Sequence, residues 1–334
     1  MRRDNTRESR LGTSGKIDVF WITIHKHATA IVNKRIDNAA LQRKAIKSAV
    51  NRPILRQFNL IEGFVMPAIA SPGKTRGFII PIGGAEDRTG SREILKRFVG
   101  LCGPKPSIAI IPTASRLEDT GRNYQDLFRD LHCVNAEVLN FTDRDHCDDA
   151  HSLNYLSQCD GVFITGGNQL RLSTTIGGTQ VAKLLRRRNA DGMTIGGTSA
   201  GAAIIPEHMI ASGDEGPTPR ARMVQLAPGL GLSNKIMVDQ HFRQRDRMGR
   251  LLTAIALNPF AMGLGIDEDT AAFIGPDNIV EVVGSGTVTF IDPFEIDQCS
   301  VAEANANDPI QLTNLRLSVL KHGGRFNLDT RRAL

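Results

Sequence analysis

What most restricts the folding of this chain is the stretch Thr194-Ile195-Gly196-Gly197-Thr198-Ser199-Ala200-Gly201-Ala202-Ala203, where apolar residues run into a turn of small residues around one hydroxyl. Gly197 to Gly201 fits G-x-S-x-G, in which a strand turns sharply into a helix and holds a serine in a strained backbone conformation at the tip. A Cβ at either glycine would collide with the turn or with an approaching substrate. A helix beginning near Ala200 directs its free N–H groups at the serine, so the Ala200 amide can donate to an oxyanion. The pattern predicts Ser199 as a nucleophile. A small-residue turn that only packs a helix closely on a sheet is the plainer alternative, and the rest of the sequence decides between the two.

From Arg76 onward, short apolar runs alternate with helical stretches, which predicts an α/β fold with a doubly wound, mostly parallel sheet. The expected strands are 77–82 (GFIIPI), 107–111 (SIAII), 136–139, 161–165 (GVFIT) and 194–195, with helices near 124–131, 153–158 and 179–188. Several strands end in turns rich in Gly or hydroxyls, and ligands in such sheets bind at the carboxyl ends of strands. Further on, 236–242 reads as a strand running into polar residues, and 261–266 (AMGLGI) leads into Asp267-Glu268-Asp269. Residues 279–283 and 287–291 alternate like antiparallel strands that finish the sheet. The tail after Asp292 carries no recognisable chemistry.

Residues 1–73 read differently, with repeated Lys and Arg and a helical pattern over 38–50, and are expected to form a basic extension ahead of a catalytic domain over 74–334. Much of the net charge of +6 lies in that extension, so it says little about the domain holding Ser199. With aromatic residues at 5%, stacking platforms for single-stranded nucleic acid are not evident. Five cysteines without CxxC spacing fit reduced thiols rather than a disulfide frame or a metal site. No apolar run reaches membrane-spanning length, and the apolar stretch at 64–72 is interrupted by proline and far from the N-terminus. A cytoplasmic protein without metal or cofactor is expected.

A serine nucleophile needs a base, and the base needs an acid to orient it. Of eight histidines, only His241 lies at a strand end. The acid is expected from another strand end, where Asp267, Glu268 and Asp269 stand together and chemistry alone leaves the choice open.

Five motifs then occur in order across residues 76–292: Gly83-Gly84-Ala85-Glu86, Thr165-Gly166-Gly167-Asn168-Gln169, Gly197-Thr198-Ser199-Ala200-Gly201-Ala202, Asp239-Gln240-His241-Phe242 with Arg245, Arg247 and Arg250, and Gly265-Ile266-Asp267-Glu268-Asp269-Thr270. Together they resemble the cyanophycinase family, serine peptidases related to the aspartyl dipeptidases of the peptidase E type. The resemblance implies a flavodoxin-like sheet similar to class I glutamine amidotransferases. It implies Ser199 as nucleophile, His241 as general base and Glu268 as the orienting acid, with Gly166, Gly167 and Ala200 at the oxyanion turn. Gln169, Asp239, Gln240, Arg245, Arg247 and Arg250 are implied as pocket residues. The implied substrate is cyanophycin, poly-aspartate bearing arginine on each side-chain carboxyl, cut to β-aspartyl-arginine by a homodimer. Such a substrate presents guanidinium and carboxylate groups, so partners of both signs are expected. Two alternatives are an aspartyl dipeptidase acting on short free peptides and a catalytically silent binding protein on the same sheet. The complete Ser/His/Glu set speaks against the silent protein, and the lack of aromatic interleaving speaks against a nucleic-acid binder using the basic extension.

Overall fold

The structure is a computed structural model and describes residues 67–334. The expected helix over 38–50 and most of the expected extension lie outside the described residues. The described residues belong to one compact unit. Within it, Ala68 is buried, and the Ser71 N–H donates to Asp191 Oδ1 at 2.9 Å. The Ala68 and Ile69 carbonyls accept from the Arg76 and Arg187 guanidinium groups. The domain's packing therefore begins before residue 74, because this extended segment is held by the end of a helix far along the chain.

Five strands run parallel, and all but the one at the sheet edge are buried along nearly their whole length, as parallel strands covered on both faces should be. They are β1 (Ile79–Ile82), β2 (Ser107–Ile111), β3 (Asn135–Val138), β4 (Gly161–Ile164) and β5 (Thr194–Thr198). A hairpin, β6 (His208–Gly213) and β7 (Val224–Pro228), follows, and then β8 (Ile236–Gln240), β9 (Met262–Ile266), β10 (Thr270–Ile274), β11 (Ile279–Gly284) and β12 (Thr287–Asp292). The chain closes with β13 (Arg316–Lys321), β14 (Arg325–Asn327) and β15 (Arg332–Ala333). The helices are α1 (Glu93–Cys102), α2 (Thr120–Asp130), α3 (Ala150–Gln158), α4 (Gln169–Ile176), α5 (Gln180–Ala190), α6 (Ala200–Ala203) and α7 (Met248–Leu257).

The main sheet has nine strands in the order β15-β14-β11-β10-β1-β5-β4-β2-β3, parallel from β1 to β3 and antiparallel beyond β1. A second sheet has the order β13-β12-β9-β8, with β8 and β9 parallel. This departs from the expectation of one sheet. Strand β11 joins the main sheet, whereas β12 pairs with β9 and β13 in the second.

Side-chain alternation divides the core. Ile80, Ile82, Ile108 and Ile110 face Phe98 of α1 and Tyr124 and Phe128 of α2, with Phe163 among them. The Phe163 ring lies 5.5 Å from Phe98, 5.2 Å from Phe128 and 4.9 Å from Tyr124. Emptying its place in such a cluster costs about 3–5 kcal/mol. On the other face, Ile79, Ile111, Ile164 and Ile195 pack with Leu172 and Leu185, and with Val238, Leu264 and Phe290 of the second sheet. The far side of that sheet is covered by Leu251 and Ile255 of α7. The two sheets thus share a core, and their strand ends meet along one edge.

Candidate active site

Ser199 sits between the end of β5 and α6, with φ 53° and ψ −112°. A non-glycine residue there stores about 1–3 kcal/mol of strain, which the surroundings must hold. They do so through the backbone: the Ser199 N–H donates to Ile82 O at 3.0 Å, and its carbonyl accepts from the Ala202 and Ala203 amides, each at 3.0 Å. A Cβ on Gly201 would collide with the Ile164 carbonyl, so the small residue is what lets α6 sit down on β4.

His241 and Glu268 come from the second sheet. Strands β8 and β9 run parallel with Gln240 beside Ile266, so the residues that follow each strand emerge side by side. The chain then passes from β9 to β10 in the main sheet, and this crossing carries Glu268. The His241 amide donates to Gly83 O, and the Asp269 amide to Gly84 O, both at 2.8 Å, which ties the crossing to the end of β1. Gly84, with φ 100°, leaves room that any Cβ would take from the imidazole.

The side chains form a relay. Ser199 Oγ lies 2.9 Å from His241 Nε2, and His241 Nδ1 lies 2.6 Å from Glu268 Oε1. Nδ1–H donates to the carboxylate, which leaves Nε2 as the acceptor for the serine hydroxyl. Burial depresses the His241 pKa below its ordinary value, Glu268 opposes this, and the charges of Arg245 and Arg247 add to the depression. The imidazole is therefore neutral, and a competent base, at neutral pH.

The adjacent acids do other work. Asp267 accepts from the Arg243 and Thr287 amides at 3.1 and 3.0 Å, and from the Thr287 hydroxyl at 2.8 Å. Asp269 accepts from the Asp87 amide at 2.9 Å and from Ser285 at 2.7 Å. Of the three, Glu268 is the one that meets His241.

The relay opens on a cleft of about 620 Å³ whose lining includes Gly166, Gly167 and Asn168. A Cβ on Gly166 would lie 3.8 Å from Ser199 Oγ, so this glycine borders the nucleophile. The Gly167 and Ala200 amides have no backbone acceptor among the described residues, which leaves both free to donate to an oxyanion. A smaller depression of about 300 Å³ shares Ser115, Arg116 and Leu117 with the cleft and extends it.

Several expected pocket residues lie elsewhere. Asp239 is 1% exposed and Arg250 4% exposed. Arg250 forms a two-pronged pair with Asp239, with Nε at 2.7 Å from Oδ2. Arg247 donates to the Gln240 side-chain oxygen at 2.6 Å and lies 3.5 Å from Asp239. Burial and the nearby Arg250 lower the Arg247 pKa to about 10, and it remains a cation at neutral pH. Asp239, Gln240, Arg247 and Arg250 thus form a buried network behind His241, not the wall of the cleft, because α7, which carries Arg250 and begins just after Arg247, packs on the end of β8 that holds Asp239 and Gln240. Gln169 donates to Ile210 O at 3.2 Å and does not line the cleft. Arg245 is exposed.

Sequence reasoning gave no role to four side chains that do line the cleft, Glu86, Arg88, Arg116 and Tyr124. Glu86 was visible in the motif after β1, but the others carried no signal. Among the described residues, no group of three His, Cys, Asp or Glu is placed to hold a metal ion, and no helix is long and apolar enough to cross a membrane.

Comparison with known proteins adds to this geometry. The chain matches Peptidase family S51 over residues 78–282. It is 43% identical over 267 residues to the cyanophycinase of Trichormus variabilis, covering 79% of this chain and 90% of that protein. It is 42% identical over 259 residues to the cyanophycinase of Geminocystis herdmanii, covering 76% and 95%. A crystal structure of a peptidase from an acI-B1 actinobacterium shares the fold, with a TM-score of 0.58 at 20% identity, over 76% of this chain and 98% of that one. A family match over more than half of the chain, together with relatives above 40% identity, establishes that the chain belongs to Peptidase family S51 and is a serine-type peptidase.

Proposed function

We propose that the chain is a cyanophycin-degrading exopeptidase that releases β-aspartyl-arginine through an acyl-enzyme on Ser199. The observation that carries this reading is the relay of Ser199, His241 and Glu268 at the cleft of a chain 43% identical to a cyanophycinase. In the proposed step, His241 Nε2 takes the hydroxyl proton as Ser199 Oγ bonds to the scissile carbonyl carbon. Glu268 stabilises the imidazolium, and the Gly167 and Ala200 amides receive the oxyanion. His241 then gives its proton to the leaving amine as the C–N bond breaks, and water releases the acyl group by the same route in reverse.

The rim favours a branched, charged polymer over a short neutral peptide. Arg88 and Arg116 offer cations for aspartyl carboxylates, and the adjoining depression gives room beyond one dipeptide unit. A homodimer acting in the cytoplasm is part of this proposal, and sedimentation of the purified protein checks the dimer. Incubation with insoluble cyanophycin, followed by mass analysis of the soluble fraction, tests the activity. Accumulation of β-Asp-Arg is the expected result, and an undiminished polymer with no dipeptide would refute it.

A further inference from the structure

We propose that Glu86 is the residue that selects arginine, its carboxylate taking the guanidinium of a substrate side chain at the floor of the cleft. The inference rests on the peptidase reading above and names what that site recognises.

Glu86 is 5% exposed, yet it lines the same cleft as Ser199 and His241. Its Oε1 accepts from the Tyr124 hydroxyl and its Oε2 from the Thr198 hydroxyl. Both donors are neutral. Burial, together with the neighbouring Glu86, pushes the Tyr124 hydroxyl above its ordinary range, so it remains a donor. An ionised carboxylate has about four acceptor positions, and two hydroxyls leave capacity on each oxygen.

No Lys or Arg nitrogen lies within 4 Å of Glu86 among the described residues. The contrast with the other buried acids is direct. Asp239 holds Arg250, Asp292 holds Arg331, and Asp267 is held by two backbone amides and has Arg243 at 3.8 Å. Arg88, two residues on, lies over the Tyr124 ring, 5.7 Å from its centroid, and is exposed. A buried carboxylate served only by neutral donors is costly unless a cation completes it. Here the open side of that carboxylate is the substrate cleft.

The placement of charge matches a guanidinium directed inward. The floor carries the anion, while Arg88 and Arg116 stand at the opening, where carboxylates of the same substrate would lie. A planar guanidinium can bridge both carboxylate oxygens, and an ammonium cannot reproduce that fork. Thr198 is the residue before Ser199, so its bond to Glu86 fixes the selecting carboxylate relative to the nucleophile.

The alternative is that Glu86 only steadies the elbow through Thr198. Two peptides separate these roles: an oligomer of β-Asp-Arg units and its isostere with citrulline in place of arginine, which keeps the shape and loses the charge. Binding is measured by calorimetry to Ser199→Ala and Ser199→Ala/Glu86→Gln proteins, and kcat/KM for the proteins with Ser199 intact. The Ser199→Ala protein should bind the arginine oligomer about 10- to 100-fold more tightly, the worth of one charge-assisted hydrogen bond. Glu86→Gln should erase most of that preference and leave the citrulline oligomer within about threefold. Glu86→Asp, which keeps the charge, should retain a preference between those of the other two.

Equal losses on both peptides would assign Glu86 to the elbow alone and overturn the proposal. So would equal binding of the two peptides by the protein with Glu86 intact, a result that needs no Glu86 variant to fold. Glu86-dependent binding of the arginine oligomer without any turnover by the unmodified protein would support the selecting role while refuting the proposed hydrolysis.

Discussion

Replacing Asp239 with Asn separates a structural network from a substrate pocket. Asp239 is 1% exposed and meets Arg250 through both oxygens, with Arg247 at 3.5 Å. Asparagine keeps the shape but leaves two buried guanidinium groups without their anion, and Arg247 Nε already has no partner. Removing one member of a buried pair costs about 3–5 kcal/mol, because the other charge remains uncompensated. At roughly 2–4 °C per kcal/mol for a domain near this size, the melting temperature should fall by about 6–20 °C. The folded fraction should still hydrolyse cyanophycin with KM within about threefold, since the group does not line the cleft. Thermal melts by circular dichroism, with kinetics at a temperature where the variant is fully folded, provide the assay. An unchanged melting temperature with KM raised tenfold or more would show that Asp239 meets substrate, and the reasoning from burial would fail.

Glu268→Gln should lower kcat by orders of magnitude while Asp267→Asn and Asp269→Asn act mainly on stability, a division checked by parallel kinetics and melts. The acid limb of kcat/KM against pH should fall below the ordinary histidine value near 6.5, because burial depresses His241. By the same sign, the unfolded chain binds the His241 proton first as pH drops, so this residue costs stability below about pH 6.5 and not above it. Deleting residues 1–73 should lower the melting temperature relative to deleting residues 1–66, since Ala68, Ile69 and Ser71 bond to the domain. Equal melts would show those contacts to be inconsequential.

The local chemistry of the site was legible where a residue's role follows from its place at a strand end. Ser199 and His241 both follow apolar runs, and small residues around Ser199 signal the turn. The division into two sheets was not legible. Residues 287–291 alternate with period two whether β12 joins β11 or β9, and pairing is decided by contacts distant in sequence. Depth was equally hidden: Asp239, Gln240, Arg247 and Arg250 are polar residues near a catalytic histidine, and only the packing of α7 makes them interior. The converse holds for Tyr124, which reads as part of an amphipathic helix. Its ring does join the aromatic core, while its hydroxyl donates to Glu86 at the cleft.

The central claim is that Ser199 is the nucleophile. Release of β-Asp-Arg from cyanophycin by Ser199→Ala tests it most directly, with the melting temperature confirming that the variant is folded. A fall of about three orders of magnitude or more in kcat is the predicted result, since oxyanion and binding effects alone would remain. Retention of more than about a tenth of the unmodified rate would contradict the assignment.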